Sequence, residues 1–437
     1  MEGLSTVFLK DILIESKDGE WGKEHFDPDY IKMFVIRGTD FSSVRYGNID
    51  KVPCRYIRKN IAIRKKLQCD DILIETAGGT KDQPTGRSLF LKKHILDREI
   101  DFTCASFSRF LRIDPQRAFP EFIFWYLQYL YTYGYMYPYH VQHTGVARFQ
   151  YTQFASQMIF QLPSYVEQQG IAHILGTLDD KIELNRRQNA TLEAMAQAIF
   201  KDWFVDFGPV HAKMEGRPPE GMSREIADLF PDRLDGEGNP EGWERKKLGG
   251  LITFYSERIK SDKLTESNYV STENMLSDKK GITKASSLPT TDSVPAFCTG
   301  HILVSNIRPY FKKIWFATFD GGRSNDVLDF CPLIVGTNYF IFNILICDAF
   351  FDFMMQTAKG SKMPRGDKNA IMAYSVVAPT EVLQRAYSSL VEVYYKKINN
   401  NVLKNEVLTS LRDTLLPKLI SGELRVPDAE KMVADIV

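Results

Sequence analysis

The chain repeats itself, and no other feature limits its fold so tightly. Residues 161–200, "QLPSYVEQQGIAHILGTLDDKIELNRRQNATLEAMAQAIF", lie on residues 377–416, "VAPTEVLQRAYSSLVEVYYKKINNNVLKNEVLTSLRDTLL", at a constant offset of 216 without a gap. Pro163 meets Pro379, Gln168 meets Gln384, Lys181 and Ile182 meet Lys397 and Ile398, and Leu192 meets Leu408. Asn185 and Asn189 meet Asn401 and Asn405. A repeat held in register means that what one half builds, the other builds too.

In the first copy Leu175, Leu178, Ile182, Leu192, Ala196 and Ile199 fall on a seven-residue pattern, the seam of a coiled helix pair. This helix is expected to begin after Pro163, with Ser164 as its N-cap, and to run to about Asp206. Its copy is expected to begin near Thr380, with Glu381 in the first turn, and to stop near Pro417. Some forty residues make a rod roughly 60 Å long, whose apolar stripe a small domain cannot cover alone. The simplest partner of each helix is the other, and a pseudo-twofold internal repeat runs them antiparallel. That arrangement faces Asn185 with Asn405 and Asn189 with Asn401. Amides in a seam fix its register; a slip that set them against leucine would cost about 1–3 kcal/mol each.

The upstream segments correspond more loosely. "FVIRGTDF" (34–41) and "NYVSTENM" (268–275) each read as a short strand entering a polar turn, and Ile72-Leu73 lies over Ile302-Leu303. An aromatic helix follows in each half, within 119–135 and 339–355, then a glycine-and-basic loop, "HTGVARFQ" (143–150) and "KGSKMPRGDK" (359–368). The expected fold class is α/β (α+β): two similar mixed α/β domains separated by two long antiparallel helices in a coiled coil. The expected boundaries are 1–162 for the first domain, 163–207 for the central helix, 208–244 for a Gly/Pro-rich connector with one short helix, 245–378 for the second domain and 379–437 for the distal helix and tail.

Composition, at 44% apolar and 25% charged, suits folded domains, and a net charge of zero excludes a surface basic all over without excluding local basic patches. The six cysteines form no CxxC pair and the seven histidines show no metal-ligand spacing, so reduced thiols and no metal are expected. The start "MEGLSTVFLKDILIES" lacks the regions of a signal peptide, and Asn343, Asp348 and Asp352 interrupt the greasiest stretch, which reads as a buried helix; a cytoplasmic location is expected.

The run 162–210, "LPSYVEQQGIAHILGTLDDKIELNRRQNATLEAMAQAIFKDWFVDFGPV", resembles the central spacer of the DNA-specificity (HsdS) subunits of type I restriction–modification enzymes. "ILVSNIRPYFKKI" (302–314), "GSKMPRGDKNAIM" (360–372), "LLPKLISGEL" (415–424) and "VIRGTDF" (35–41) extend the resemblance over essentially the whole chain. The second helix start departs from the family pattern, having Leu383-Gln384 where the first has Glu167-Gln168. The resemblance implies two target-recognition domains, each reading one half of a bipartite, asymmetric double-stranded DNA site. The helices would set the gap between halves and dock two methyltransferase subunits, with a motor–endonuclease subunit joining the larger complex. It implies a non-catalytic chain, with S-adenosylmethionine, ATP and Mg held by partner subunits.

The residues agree with that role. "NPEGW" (239–243) lacks the second proline of a base-methylase motif, and "AGGTKDQPTGRS" (77–88) has the wrong spacing for a phosphate-cradling loop. The acidic run "DDKIE" (179–183) reads as a solvated helix face, with Asp179 and Glu183 beside Arg186 and Arg187.

DNA contacts should come from clustered basic residues and from a few side chains on loops. "KVPCRYIRKNIAIRKK" (51–66) carries seven basic residues and no acidic one, with Arg58 and Lys59 at its middle; it reads equally as a guarded sheet edge. The expected contacts of the first domain are completed by Arg37, Thr39, Arg87 and Arg148. Those of the second are Asn306, Arg308, Tyr310, Lys312, Arg323, Lys362 and Arg365. Zero net charge motivates the competing reading, an interaction scaffold whose helices bind protein alone; a self-contained nuclease–methylase is a third.

Overall fold

The computed structural model describes residues 4–79, 83–142 and 146–434. Residues 80–82 and 143–145, parts of the two glycine-containing loops of the first half, lie outside the described residues. The chain forms two units, Met1–Arg187 with Asn401–Val437, and Gln188–Asn400.

In the first unit, strands Leu13–Asp18, Ser108–Ile113, Ile72–Glu75 and Ser88–Phe90 form an antiparallel sheet in that order. All four residues of Ile72–Glu75 are buried, as a central strand with both faces covered requires. A second sheet places Tyr30–Ile36 between Cys54–Arg58, antiparallel to it, and Phe102–Cys104, parallel to it. Helix Pro120–Thr132 opens on its proline and buries Phe122, Trp125 and Leu127 in a core shared with Leu175, Leu178, Leu415 and Leu419 of the long helices.

The second unit repeats the plan. Ile252–Phe254, Val327–Pro332, Ile302–Ser305 and Ile314–Phe316 form an antiparallel sheet of the same order, and the central strand Ile302–Ser305 is again wholly buried. Its second sheet differs, with Arg258–Lys260, Ser293–Phe297, Gly321–Arg323 and Tyr269–Val270 in that order. One element survives: Tyr269–Val270 runs parallel to Gly321–Arg323, as Tyr30–Ile36 does to Phe102–Cys104. The expected single aromatic helix is two, Asn338–Ile346 and Asp348–Gln356, bent by 62° where Cys347 is extended, and both are packed in the core. No single described helix is long and apolar enough to cross a membrane.

A strand pair introduces each long helix: Ser5–Phe8 with Ile159–Leu162, and Glu244–Lys247 with Ser375–Ala378. The helices run Tyr165–Phe204 and Glu381–Ser421. Gln168 Nε2 donates to the Pro163 carbonyl and Gln384 Nε2 to the Pro379 carbonyl, both at 2.9 Å, so the departure at Leu383 leaves this buried brace intact. Ser164 caps the first helix, its hydroxyl accepting from the Glu167 N–H at 3.3 Å. The second helix passes its expected stop: Pro417 lies inside it. Burial of Leu415, Leu416 and Leu419 on either side offsets the lost backbone bond. The helix closes instead at Gly422, φ +75°, where the Leu424 N–H returns to the Lys418 carbonyl at 3.0 Å.

Within each unit the two helices are antiparallel. In the first, Asn185 Nδ2 donates to Asn405 Oδ1 at 2.8 Å and Arg412 Nη1 reaches Asp179 at 2.7 Å. In the second, Asn189 Nδ2 lies 3.4 Å from the Ile398 carbonyl, and the Tyr387 hydroxyl donates to the Ala196 carbonyl at 2.9 Å. The connector carries two short helices, Gly208–Met214 and Arg224–Ala227. Phe230 and Trp243 join Trp203 and Phe204 in the second core, so this Gly/Pro-rich stretch is packed rather than slack.

Candidate nucleic-acid interface

At the exit of each central strand the chain is stitched to the loop that follows the aromatic helices. In the first unit the Gly78 N–H donates to the Ala147 carbonyl at 3.1 Å, the Phe149 N–H to the Thr76 carbonyl at 2.9 Å, and the Thr76 N–H to the Phe107 carbonyl at 2.8 Å. In the second, the Arg308 N–H donates to the Pro364 carbonyl at 2.8 Å, the Gly366 N–H to the Asn306 carbonyl at 3.1 Å, and the Asn306 N–H to the Asp326 carbonyl at 2.8 Å. Bridges Ala77–Arg148 and Ile307–Arg365 complete the match. Backbone geometry thus equates Thr76, Ala77 and Gly78 with Asn306, Ile307 and Arg308, and Arg148 with Arg365.

The turn after Tyr30–Ile36 joins this edge through Glu75. A Cβ at Gly38 would lie 2.6 Å from the Glu75 carboxylate and one at Gly78 3.3 Å from it, so the glycines admit the side chain. Glu75 holds Arg87 through two bonds, at 2.9 and 2.6 Å. Arg37 clamps Asp40 in the same bidentate way at 2.9 and 2.8 Å. Each of these guanidiniums already turns its planar fork to a carboxylate of its own module. Arg87 and Arg37 therefore build the loops, and Thr39 and Arg148 are the exposed side chains they leave. Among the described residues the Arg148 guanidinium has no hydrogen-bond or ion-pair partner.

Arg58 and Lys59 stand apart from this group. Arg58 pairs with Tyr30, at the far end of Tyr30–Ile36 from the Thr39 turn, six residues or about 20 Å along the strand. Of the surrounding basic run, Arg55, Lys65 and Lys66 are held by Glu24, Glu20 and Asp101, and Cys54–Arg58 is a sheet edge.

In the second unit Arg323 is buried and donates to the Val327 and Tyr255 carbonyls at 2.6 and 2.9 Å, 3.7 Å from Asp329; it braces the sheet. Lys312 shares Asp348 with Lys279, each at 2.8 Å, and the two ammonium groups hold that carboxyl down at about 2. Asn306 is buried against Gly366, where a Cβ would come within 2.8 Å of its Oδ1. Arg365 leans on Asp326 at 3.3 Å. Arg308, Tyr310 and Lys362 are exposed, and among the described residues Arg308 and Lys362 have no side-chain hydrogen bond or ion pair. Arg308 occupies the left-handed region at φ +50°, which costs an L-residue about 1–2 kcal/mol, where the first unit has Gly78 at φ +126°.

The acidic run on the first helix is not a solvated face. Asp179 and Glu183 are 4% and 5% exposed. Arg45 grips Asp179 bidentately at 2.9 and 3.0 Å while Arg412 reaches it from the second helix, and His94 meets Glu183 at 3.0 Å. Burial raises the Asp179 pKa, but the two guanidiniums outweigh it and hold the group below the usual carboxylate range. Sequence reading missed this because Arg45 and Arg412 lie far along the chain.

Two copies of one α/β module, each rooted in a pair of antiparallel helices, define an internally duplicated two-module protein. Residues 1–194 match the type I restriction modification DNA specificity domain. The chain is similar to the specificity subunit of type I restriction enzyme MjaIX of Methanocaldococcus jannaschii, 28% identical over 290 residues, 61% of this chain and 60% of that one. It is also similar to the HindI specificity subunit of Haemophilus influenzae, 25% identical over 327 residues, 62% of this chain and 70% of that one. The crystal structure of the type I restriction-modification S subunit from M. genitalium shares the fold, with a TM-score of 0.53 over 95% of this chain and 96% of that one at 14% identity. The chain is thus similar to type I restriction–modification specificity subunits, in sequence over residues 1–194 and in fold over most of its length, and it spans less than two thirds of the MjaIX subunit.

Proposed function

We propose that this chain is the sequence-specific DNA-binding subunit of a type I restriction–modification complex, with each module reading one half of a bipartite, asymmetric target. The observation that carries the reading is the duplicated loop edge, where each copy leaves an arginine and a small set of exposed polar side chains unengaged. Arg148 and Thr39 face the DNA in the first module; Tyr310, Lys362 and the loop of Arg308 do so in the second. Arg58 and Lys59, on a separate edge, suit phosphate rather than base contact. The Asn185–Asn405 pair, with Asn189 and Asn401, sets the register of the helices, which fix the gap between half-sites. Exposed apolar side chains on them, Leu403 and Val407 among others, suit the docking of two methyltransferase subunits, through which the motor–endonuclease subunits join. The chain contributes recognition and no chemistry of its own.

The test is binding by the assembled methyltransferase complex to duplexes selected from a randomised pool. Arg148→Ala is expected to weaken discrimination at one half-site by about 5- to 100-fold and leave the other unchanged. Equal loss at both half-sites, or none, refutes the assignment of one module to one half.

A further inference from the structure

The two loop edges differ at one position in a way that singles out a side chain. Gly78 and Arg308 are equivalent by backbone hydrogen bonding, since each donates its N–H to the residue before the bridging arginine, Ala147–Arg148 or Pro364–Arg365. Both have positive φ. Glycine adopts that conformation freely; arginine does not. Nothing local compensates Arg308. Its side chain is exposed and, among the described residues, its guanidinium makes no ion pair or hydrogen bond, while Arg365 beside it leans on Asp326 and Lys312 four residues on is held by Asp348. The backbone around it is fixed from three directions. Its own N–H is bound by the Pro364 carbonyl, Pro309 follows it directly, and the Phe311 N–H returns to the Arg308 carbonyl at 3.0 Å.

We propose that Arg308 is the specificity-determining residue of the second module, a left-handed arginine held rigidly outward to pair both arms of its fork with one purine edge, most simply the O6 and N7 of guanine in the major groove. The first module lacks this reader, because Gly78 fills the corresponding place, and relies on the neighbouring Arg148. The proposal rests on the DNA-binding reading above and deepens it by separating base contact from phosphate contact.

Arg308→Gly and Arg308→Lys, each in the full chain assembled with its methyltransferase subunits, provide the test. The probes are duplexes selected by the wild-type complex from a randomised pool and then varied one base at a time. Arg308→Gly is expected to melt about 2–4 °C higher through relief of strain. It should also lose about 5- to 100-fold of the discrimination at a single G·C pair of the second half-site, with the first half-site unchanged. Arg308→Lys, with the charge but not the fork, should keep the salt dependence of binding and lose the discrimination. A glycine variant that melts lower, or either variant that still distinguishes the base, overturns the proposal. A wild-type complex that prefers no duplex at all overturns instead the reading on which it rests.

Discussion

Glu121 shows how burial sets the behaviour of one side chain. It lies in the first turn of helix Pro120–Thr132, pressed to the long helix so closely that a Cβ at Gly176 would come 2.7 Å from its Oε1. Burial lifts its pKa to about 7, against the pull of Lys92. The folded chain therefore binds this proton more tightly than the unfolded chain. The stability it contributes is complete below about pH 4.5 and is lost as pH rises through 7. Glu121→Gln is expected to add about 1–3 kcal/mol at pH 8 and nothing at pH 4; urea midpoints at the two pH values check it, and equal midpoints at pH 8 contradict it. Asp179 has the opposite sign, stabilising above its unfolded pKa and losing that support as pH falls. None of this was legible in the sequence. "DDKIE" reads as surface until a guanidinium 134 residues before Asp179 and another 233 residues after it are placed on its carboxylate.

At the scale of elements the seam was legible and the loops were not. A heptad pattern repeated at a fixed offset identifies both long helices to within a few residues, except at Pro417, where flanking burial overrides the usual stop signal. The strands Ile72–Glu75 and Ile302–Ser305 were readable as apolar runs in equivalent places. The stitched loops kept their backbone bonds but not their residues: Thr76, Ala77 and Gly78 stand where Asn306, Ile307 and Arg308 do, at an offset of 230 rather than 216. Which arginines are engaged could not be read either, because Asp40, Glu75 and Asp326 are ordinary acids until the fold sets them against Arg37, Arg87 and Arg365. The seam itself offers a direct measurement. Asn185→Leu leaves the Asn405 amide without its partner and is expected to cost about 1–3 kcal/mol. Adding Asn405→Leu should recover most of that loss, a strongly non-additive cycle in chemical denaturation; additive losses would show that the amides do not act as a pair.

For the whole molecule, the proposal that the helices act as a measuring rod is open to a length test. Seven residues added to each helix, near residue 190 and near residue 400, extend the rod by about 10 Å, or about three base pairs. The preferred gap between selected half-sites should widen by that amount with each half-site sequence unchanged; an unaltered gap refutes the rod. The duplication also has a consequence in how the two ends resist stress. Where the first unit locks its helices through Asp179 and Arg412, the positions 216 residues away are Tyr395 and Ala196. There Tyr395 lies flat on Tyr339, with ring centroids 4.9 Å apart and planes 3° apart. One pair of helices is joined by charge, the other by the neutral bond from the Tyr387 hydroxyl to the Ala196 carbonyl, with Tyr395 stacked on the neighbouring short helix, so acid undoes the first fastening and spares the second.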